Sequence, residues 1–181
     1  MRTRHEAGLE PSELARFEET VLPHLDDAYT LARHLVRDEH DAQDVVQDAY
    51  LRALKYFRTF RGGDSRAWLL AIVRNRSHTW RSTRRADATT EFDEELHSGD
   101  GAGEGADAGL QRGEARETVR QALARLPAEF REVIVLRELE GLSYKEIAQV
   151  TGSPVGTVMS RLARARARLL EALGPRAPEA G

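Results

Sequence analysis

Thr157, Ser160, Arg161, Arg164 and Arg168 recur three or four residues apart near the C-terminal end of this 181-residue chain. That spacing places them on one side of a helix, while Val158, Leu162, Ala165 and Leu169 fall on the other. Hydroxyl groups that donate or accept, set among guanidinium groups that grip guanine edges or phosphates, are what a recognition helix offers to the DNA major groove. A solvated basic face on a helical hairpin has the same pattern, so the stretch alone leaves both readings open.

The elements around it favour the first. Gly152 suits the left-handed end of a preceding short helix, and Ser153 followed by Pro154 reads as an N-cap with proline at the first helical position. Ser143 and Glu146 stand as a capping box, and Ile147 with Ala148 gives that short helix an apolar side. Upstream, Val119, Ala122, Leu123 and Leu126 mark one helix. Pro127 opens another that buries Phe130, Val133, Ile134, Leu136 and Leu139 and ends at Gly141. Four short helices over 114–173 make a small bundle ending in a helix-turn-helix.

A second set of groups lies on a predicted helix over 66–84. Arg74, His78, Arg81 and Arg85 form a basic stripe with Trp68, Asn75 and Thr79 beside it, the parts needed to hold a backbone and to stack on or bond unpaired bases. Leu69, Ile72, Val73, Arg76 and Trp80 line the opposite side. Trp68 reads more readily as core than as a stacking platform, whereas Trp80 is balanced between the two.

The third set is on a helix over 41–57. Ala42, Val45, Val46, Ala49, Ala53 and Phe57 face inward; Asp41, Asp44, Gln47, Asp48 and Leu51 sit outward, with acids early and Arg52 and Lys55 late, as the helix dipole prefers. The outward face is either an ordinary solvated surface or an acidic one offered to a basic partner. Before it, Leu14, Phe17, Val21, Leu25, Ala28, Ala32 and Leu35 mark a helix starting after Pro11, with Ser12 as cap and Pro23 as a kink.

Composition removes other classes. The net charge of −3 divides unevenly: +2 over 1–85, −8 over 86–114 and +3 over 115–181. Phosphate binding depends on local basic patches, so a mildly acidic total does not exclude nucleic acid. There is no cysteine, hence no disulfide, thiolate ligand or thiol nucleophile. The six histidines lack the spacing of a zinc site. No Gly-rich phosphate loop or nucleophile triad is present, so no catalytic residue, metal or cofactor is expected. No apolar run is long enough to span a membrane and no leader precedes the first helix, which points to a soluble cytoplasmic protein. Residues 86–113 are acidic, with five glycines between Gly99 and Gly109, and read as a flexible linker. The tail over 174–181 reads as disordered. The expected fold is all-α: two small helical domains over 12–85 and 114–173.

Three motifs in order, DAQDVVQDAY at 41–50, FRTFRGGDSRAWLLAIVRNR at 57–76 and the long LPAEFREVIVLRELEGLSYKEIAQVTGSPVGTVMSRLARARARL at 126–169, resemble RNA polymerase sigma factors of the sigma-70 family. The short linker is similar to that of the extracytoplasmic function (ECF) group. The resemblance implies a sigma2 and a sigma4 domain, the second a helix-turn-helix. It implies that Asp44, Val45, Gln47, Asp48 and Leu51 dock on the β′ clamp helices of core polymerase, with the β flap a further contact. It implies that Trp68, Arg74, Asn75, His78, Arg81, Arg84 and Arg85 meet the −10 element and its non-template strand. It also implies that Ser153, Pro154, Thr157, Met159, Ser160, Arg161, Ala163 and Arg164 present the −35 surface. Met159 and Ala163 occupy positions often larger or charged in the family, which shifts readout toward backbone shape. Promoter DNA and an anti-sigma factor are the other expected partners, and the acidic linker resembles the segment that threads the RNA exit path. A stand-alone helix-turn-helix regulator is the alternative; it leaves the 41–51 face unexplained.

Overall fold

A computed structural model describes residues 9–88 and 108–174, and all regular structure among them is helical. The elements are α1 (Pro11–Val21), α2 (Leu25–Val36), α3 (Glu39–Tyr56), α4 (Ser65–Ala88), α5 (Ala108–Arg125), α6 (Ala128–Ile134), α7 (Tyr144–Thr151) and α8 (Val155–Leu173). They form two compact units, α1 to α4 belonging mainly to the first and α5 to α8 mainly to the second. Helix α4 runs to Ala88, and α5 starts at Ala108, earlier than the glycines of 86–113 suggest. Ala, Leu, Gln, Arg and Glu dominate α5, and their helix preference outweighs Gly109 and Gly113. The rest of the expected linker and the tail beyond 174 lie outside the described residues.

In the first unit Pro23 sits in a single 3₁₀ turn, Leu22–His24, that divides α1 from α2 as expected. The turn changes the helical phase, so Leu25 is not continuous with the buried stripe and is 46% exposed. Leu14, one turn before Phe17, is likewise exposed rather than core. Pro11, not Ser12, starts α1: proline takes the first helical position, and the Glu10 amide donates to Glu13 Oε2 at 3.0 Å. The core gathers Phe17, Val21, Ala28, Leu31, Ala32 and Leu35 with Leu69, Leu70 and Val73 of α4. All six inward residues foreseen on α3 and its end, Ala42, Val45, Val46, Ala49, Ala53 and Phe57, are buried. Asp38 caps α3 by accepting from the Asp41 amide at 2.9 Å.

The second unit packs α6 and α5 against α8 around Leu123, Leu126, Phe130, Val133, Leu136, Val158, Leu162 and Ala165. Helix α6 continues into a π turn over Val135–Leu139, where the Glu140 amide donates to the Val135 carbonyl at 3.1 Å. The wider turn rotates Leu139 outward, leaving it 51% exposed instead of buried. Gly141 then leaves the helix at φ 66°.

Candidate nucleic-acid interface

The turn between α7 and α8 forms as its residues dictate. Ser143 Oγ accepts from the Glu146 amide at 3.2 Å, and the Ser143 amide donates to Glu146 Oε2 at 2.6 Å, a complete capping box. Gly152 closes α7 at φ 65°, a left-handed conformation in which a side chain is strained. The start of α8 differs from expectation. Pro154 is the N-cap, at φ −58° and ψ 149°, and its carbonyl accepts from the amides of Thr157 and Val158. Ser153 does not cap; its Oγ accepts from Arg161 Nη1 at 3.2 Å.

That contact changes the reading of the basic face. Arg161 also lies 3.6 Å from Glu129 and 4.0 Å from the buried Glu132, both on α6, so its half-buried guanidinium braces α8 against the unit. Arg166 donates to Glu138 Oε1 at 2.7 Å, and the Arg168 guanidinium sits 5.0 Å from the Phe130 ring centre. Arg164 is exposed and has no ion pair or hydrogen bond among the described residues. The first turns of α8 therefore present Gly156, Met159, Ser160, Ala163 and Arg164 to solvent. Thr157 is half-buried at their edge, and its carbonyl accepts from Ser160 Oγ at 3.0 Å.

On α4, Ala67, Leu69, Leu70, Val73 and Ser77 are buried, and helical geometry sets Trp68, Asn75 and Thr79 on the far side. Asn75 is exposed. Arg74, His78 and Arg81 are half-buried shoulders of the core face, with Arg74 Nη1 3.5 Å from Asn75 Oδ1; Arg84 and Arg85 are exposed near the helix end. Trp68 packs tilted against Phe60 at 5.1 Å, and Phe60 stacks on Phe57 at 6.1 Å, an aromatic row running from core to surface. Beside it Gly62 and Gly63 adopt φ of 92° and 96°, and Asp64 caps α4 by accepting from the Ala67 amide at 2.9 Å. Phe60 belongs with Trp68, and its sequence signal is the spacing of three from Phe57 before a double glycine.

On α3, Asp44 and Gln47 are exposed and Leu51 is 61% exposed, one ridge at helical spacing. Val45 is buried, 1% exposed, so its side chain cannot meet a partner and it leaves the expected set. Asp48 is half-buried and ion-paired with Arg76 of α4, with Arg52 3.6 Å away. Arg76 lies on the inward side expected from sequence, and its guanidinium turns to the Asp48 carboxylate. A groove of about 460 Å³ runs beside the ridge, lined by Leu25, Asp26, Tyr29, Gln43, Val46, Gln47 and Tyr50. The Tyr50 hydroxyl donates to the Val21 carbonyl at 3.1 Å. Burial first, then the Asp26 and Asp27 carboxylates, pushes its pKa up to about 12. Tyr29 and Tyr50 have no signal in the sequence, because they join the ridge only when α2 packs on α3. Among the described residues no cluster of His, Asp or Glu could hold a metal, and no helix is long and apolar enough to cross a membrane.

Two helical units, one an outward amide and aromatic row beside basic groups and the other a capped helix-turn-helix, define a class of transcription factor. Residues 20–86 match the family model for sigma-70 region 2, and residues 116–169 match that for sigma-70 region 4. The chain belongs to the sigma-70 family, in its ECF group, and is a sigma factor. It is 38% identical to the RNA polymerase sigma-H factor of Pseudomonas aeruginosa over 173 residues, covering 91% of this chain and 89% of that protein. It is 35% identical to the ECF RNA polymerase sigma-E factor of Escherichia coli K12 over 134 residues, 70% of each chain. Among solved structures it resembles the sigma factor RpoE of Bartonella quintana, crystallised with the anti-sigma factor NepR. There the TM-score is 0.74 at 29% identity, covering 87% of this chain and 96% of that one. It also resembles CnrH in complex with the cytosolic domain of CnrY, with a TM-score of 0.64, 29% identity and 88% of each chain covered.

Proposed function

We propose that this sigma factor binds core RNA polymerase in the cytoplasm, directs it to promoters through −10 and −35 contacts, and promotes strand opening. The Asp44, Gln47, Asp48 and Leu51 ridge docks on the β′ clamp helices, and the ion pair of Asp48 with Arg76 also holds the ridge to α4. One observation carries the reading: a single chain pairs this exposed acidic ridge with two separate helix faces suited to nucleic acid. A stand-alone regulator needs only the second of those faces.

The chemistry is recognition, not catalysis. Asn75 and the Trp68 and Phe60 row meet the non-template strand at −10, and the neighbouring basic groups hold its backbone. Unstacking a base step costs a few kcal/mol, offset by contacts available only to the opened strand. The outward face of α8 enters the major groove at −35. An anti-sigma factor is the proposed regulator, as the related sigma factor RpoE was crystallised with the anti-sigma factor NepR.

Reconstitution with core polymerase on a genomic promoter pool tests this. Discrete transcript starts sharing −10 and −35 sequences are expected. Starts no more selective than those of core enzyme alone overturn the proposal, and tight binding to duplex DNA without polymerase supports the stand-alone regulator.

A further inference from the structure

The outward surface of α8 carries less charge than its sequence suggests. Of its four arginines, Arg161 is turned back onto Ser153, Glu129 and Glu132, Arg166 onto Glu138, and Arg168 onto Phe130. What remains at the centre of the exposed face, on successive turns, is apolar. Met159 is 52% exposed, and Ala163, one turn on, is exposed as well. Gly156 lies one turn before Ser160, and a Cβ placed there would meet nothing within 4 Å. Ser160 donates its proton to the Thr157 carbonyl, which leaves its oxygen lone pairs as the outward group.

Each base pair shows the major groove a distinct pattern, and the one feature that rewards an apolar side chain is the thymine 5-methyl group. A thioether and a methyl side by side have no hydrogen bond to give a guanine or adenine edge. They do cover a methyl, and a thioether adapts its shape to it. Building on the proposed role of α8 at −35, we propose that Met159 and Ala163 are specificity-determining residues that read thymine methyl groups in the −35 element. Arg164 supplies the one outward guanidinium, for a guanine edge or a phosphate at the border of the thymine tract. The surface selects thymine by covering its methyl, where shape readout alone would be indifferent to it.

Deoxyuridine separates the two, because it keeps the pairing and the hydrogen-bonding edge of thymine and lacks only the methyl. The holoenzyme is assayed for initiation on one of its own promoters, with −35 thymines replaced singly by deoxyuridine. Initiation is expected to fall about threefold at each thymine under Met159 or Ala163, the worth of roughly one buried methyl. Replacement outside the element should have no effect. In M159A the penalty at one thymine should disappear while the others persist. Met159 is exposed and outside the core, so the variant keeps its fold. Equal initiation on thymine and deoxyuridine promoters, or a −35 element without thymine, overturns the inference while leaving the sigma-factor reading intact. A holoenzyme with no promoter preference overturns both.

Discussion

Reversal of Asp48 is the sharpest test of how docking and folding share one surface. The carboxylate pairs with Arg76 across the seam of α3 and α4, and Arg52 lies 3.6 Å away on its own helix. Asp48→Arg removes that pair and sets a third guanidinium against two. The side chains of Asp48 and Arg76 are 41% and 23% exposed, so solvent screens much of the Coulomb energy. Losing a partly exposed pair costs about 0.5–1 kcal/mol, and like-charge repulsion adds a similar amount. A total of about 1–2 kcal/mol lowers the melting temperature of a domain this small by about 5–10 °C. The double charge swap D48R/R76D should recover most of this in a thermal melt, since it restores the pair in reverse. It should not recover co-purification with core polymerase, because the ridge still carries the wrong sign. Asp44→Arg, on an exposed carboxylate, should lose polymerase with no change in melting. If Asp48→Arg melts within about 2 °C of the parent protein, or the swap is no more stable than the single variant, the coupling across this seam is refuted.

Two further outcomes follow from local chemistry. Tyr50 loses its proton at about pH 12 in the folded chain, from an ordinary value of 10. Its contribution to stability is therefore whole below pH 10 and falls as pH rises from 10 toward 12, where only the unfolded chain ionises readily. Ultraviolet titration should show Tyr50 as the last of the four tyrosines to ionise, with Tyr29 also raised by burial, and Tyr50→Phe should remove the step near pH 12; four tyrosines titrating together would refute the assignment. Gly152→Ala meets no atom within 4 Å but must hold φ 65°, so it should cost about 1 kcal/mol through the backbone alone. A melting temperature equal to the parent's would show that the turn relaxes.

What could be read from sequence tracks how local the physics is. The Ser143 and Glu146 box, the left-handed Gly152, the break at Pro23 and the inward face of α3 depend on residues within a few positions, and all appear in the fold. The failures need the third dimension. Arg161 has the spacing of a DNA contact, yet its partners Glu129 and Glu132 lie about thirty residues upstream. Leu139 keeps helical period on paper, but a π turn adds a residue and swings it out. Val45 was placed both in the core and on the docking surface, and burial decides for the core. The Tyr29 and Tyr50 groove had no signature in the chain, because two helices make it jointly.

The folded-back arginines of α8 bear on how such a protein can change. Arg161, Arg166 and Arg168 tie the helix to its own unit, while Gly156, Met159, Ser160, Ala163 and Arg164 add little to the hydrophobic core. On the proposed −35 role of α8, stability and sequence preference rest on different residues of one helix. Substitutions on the outward five can drift without unfolding the domain, so duplicated copies are free to diverge toward new promoters while the frame that holds the helix stays fixed.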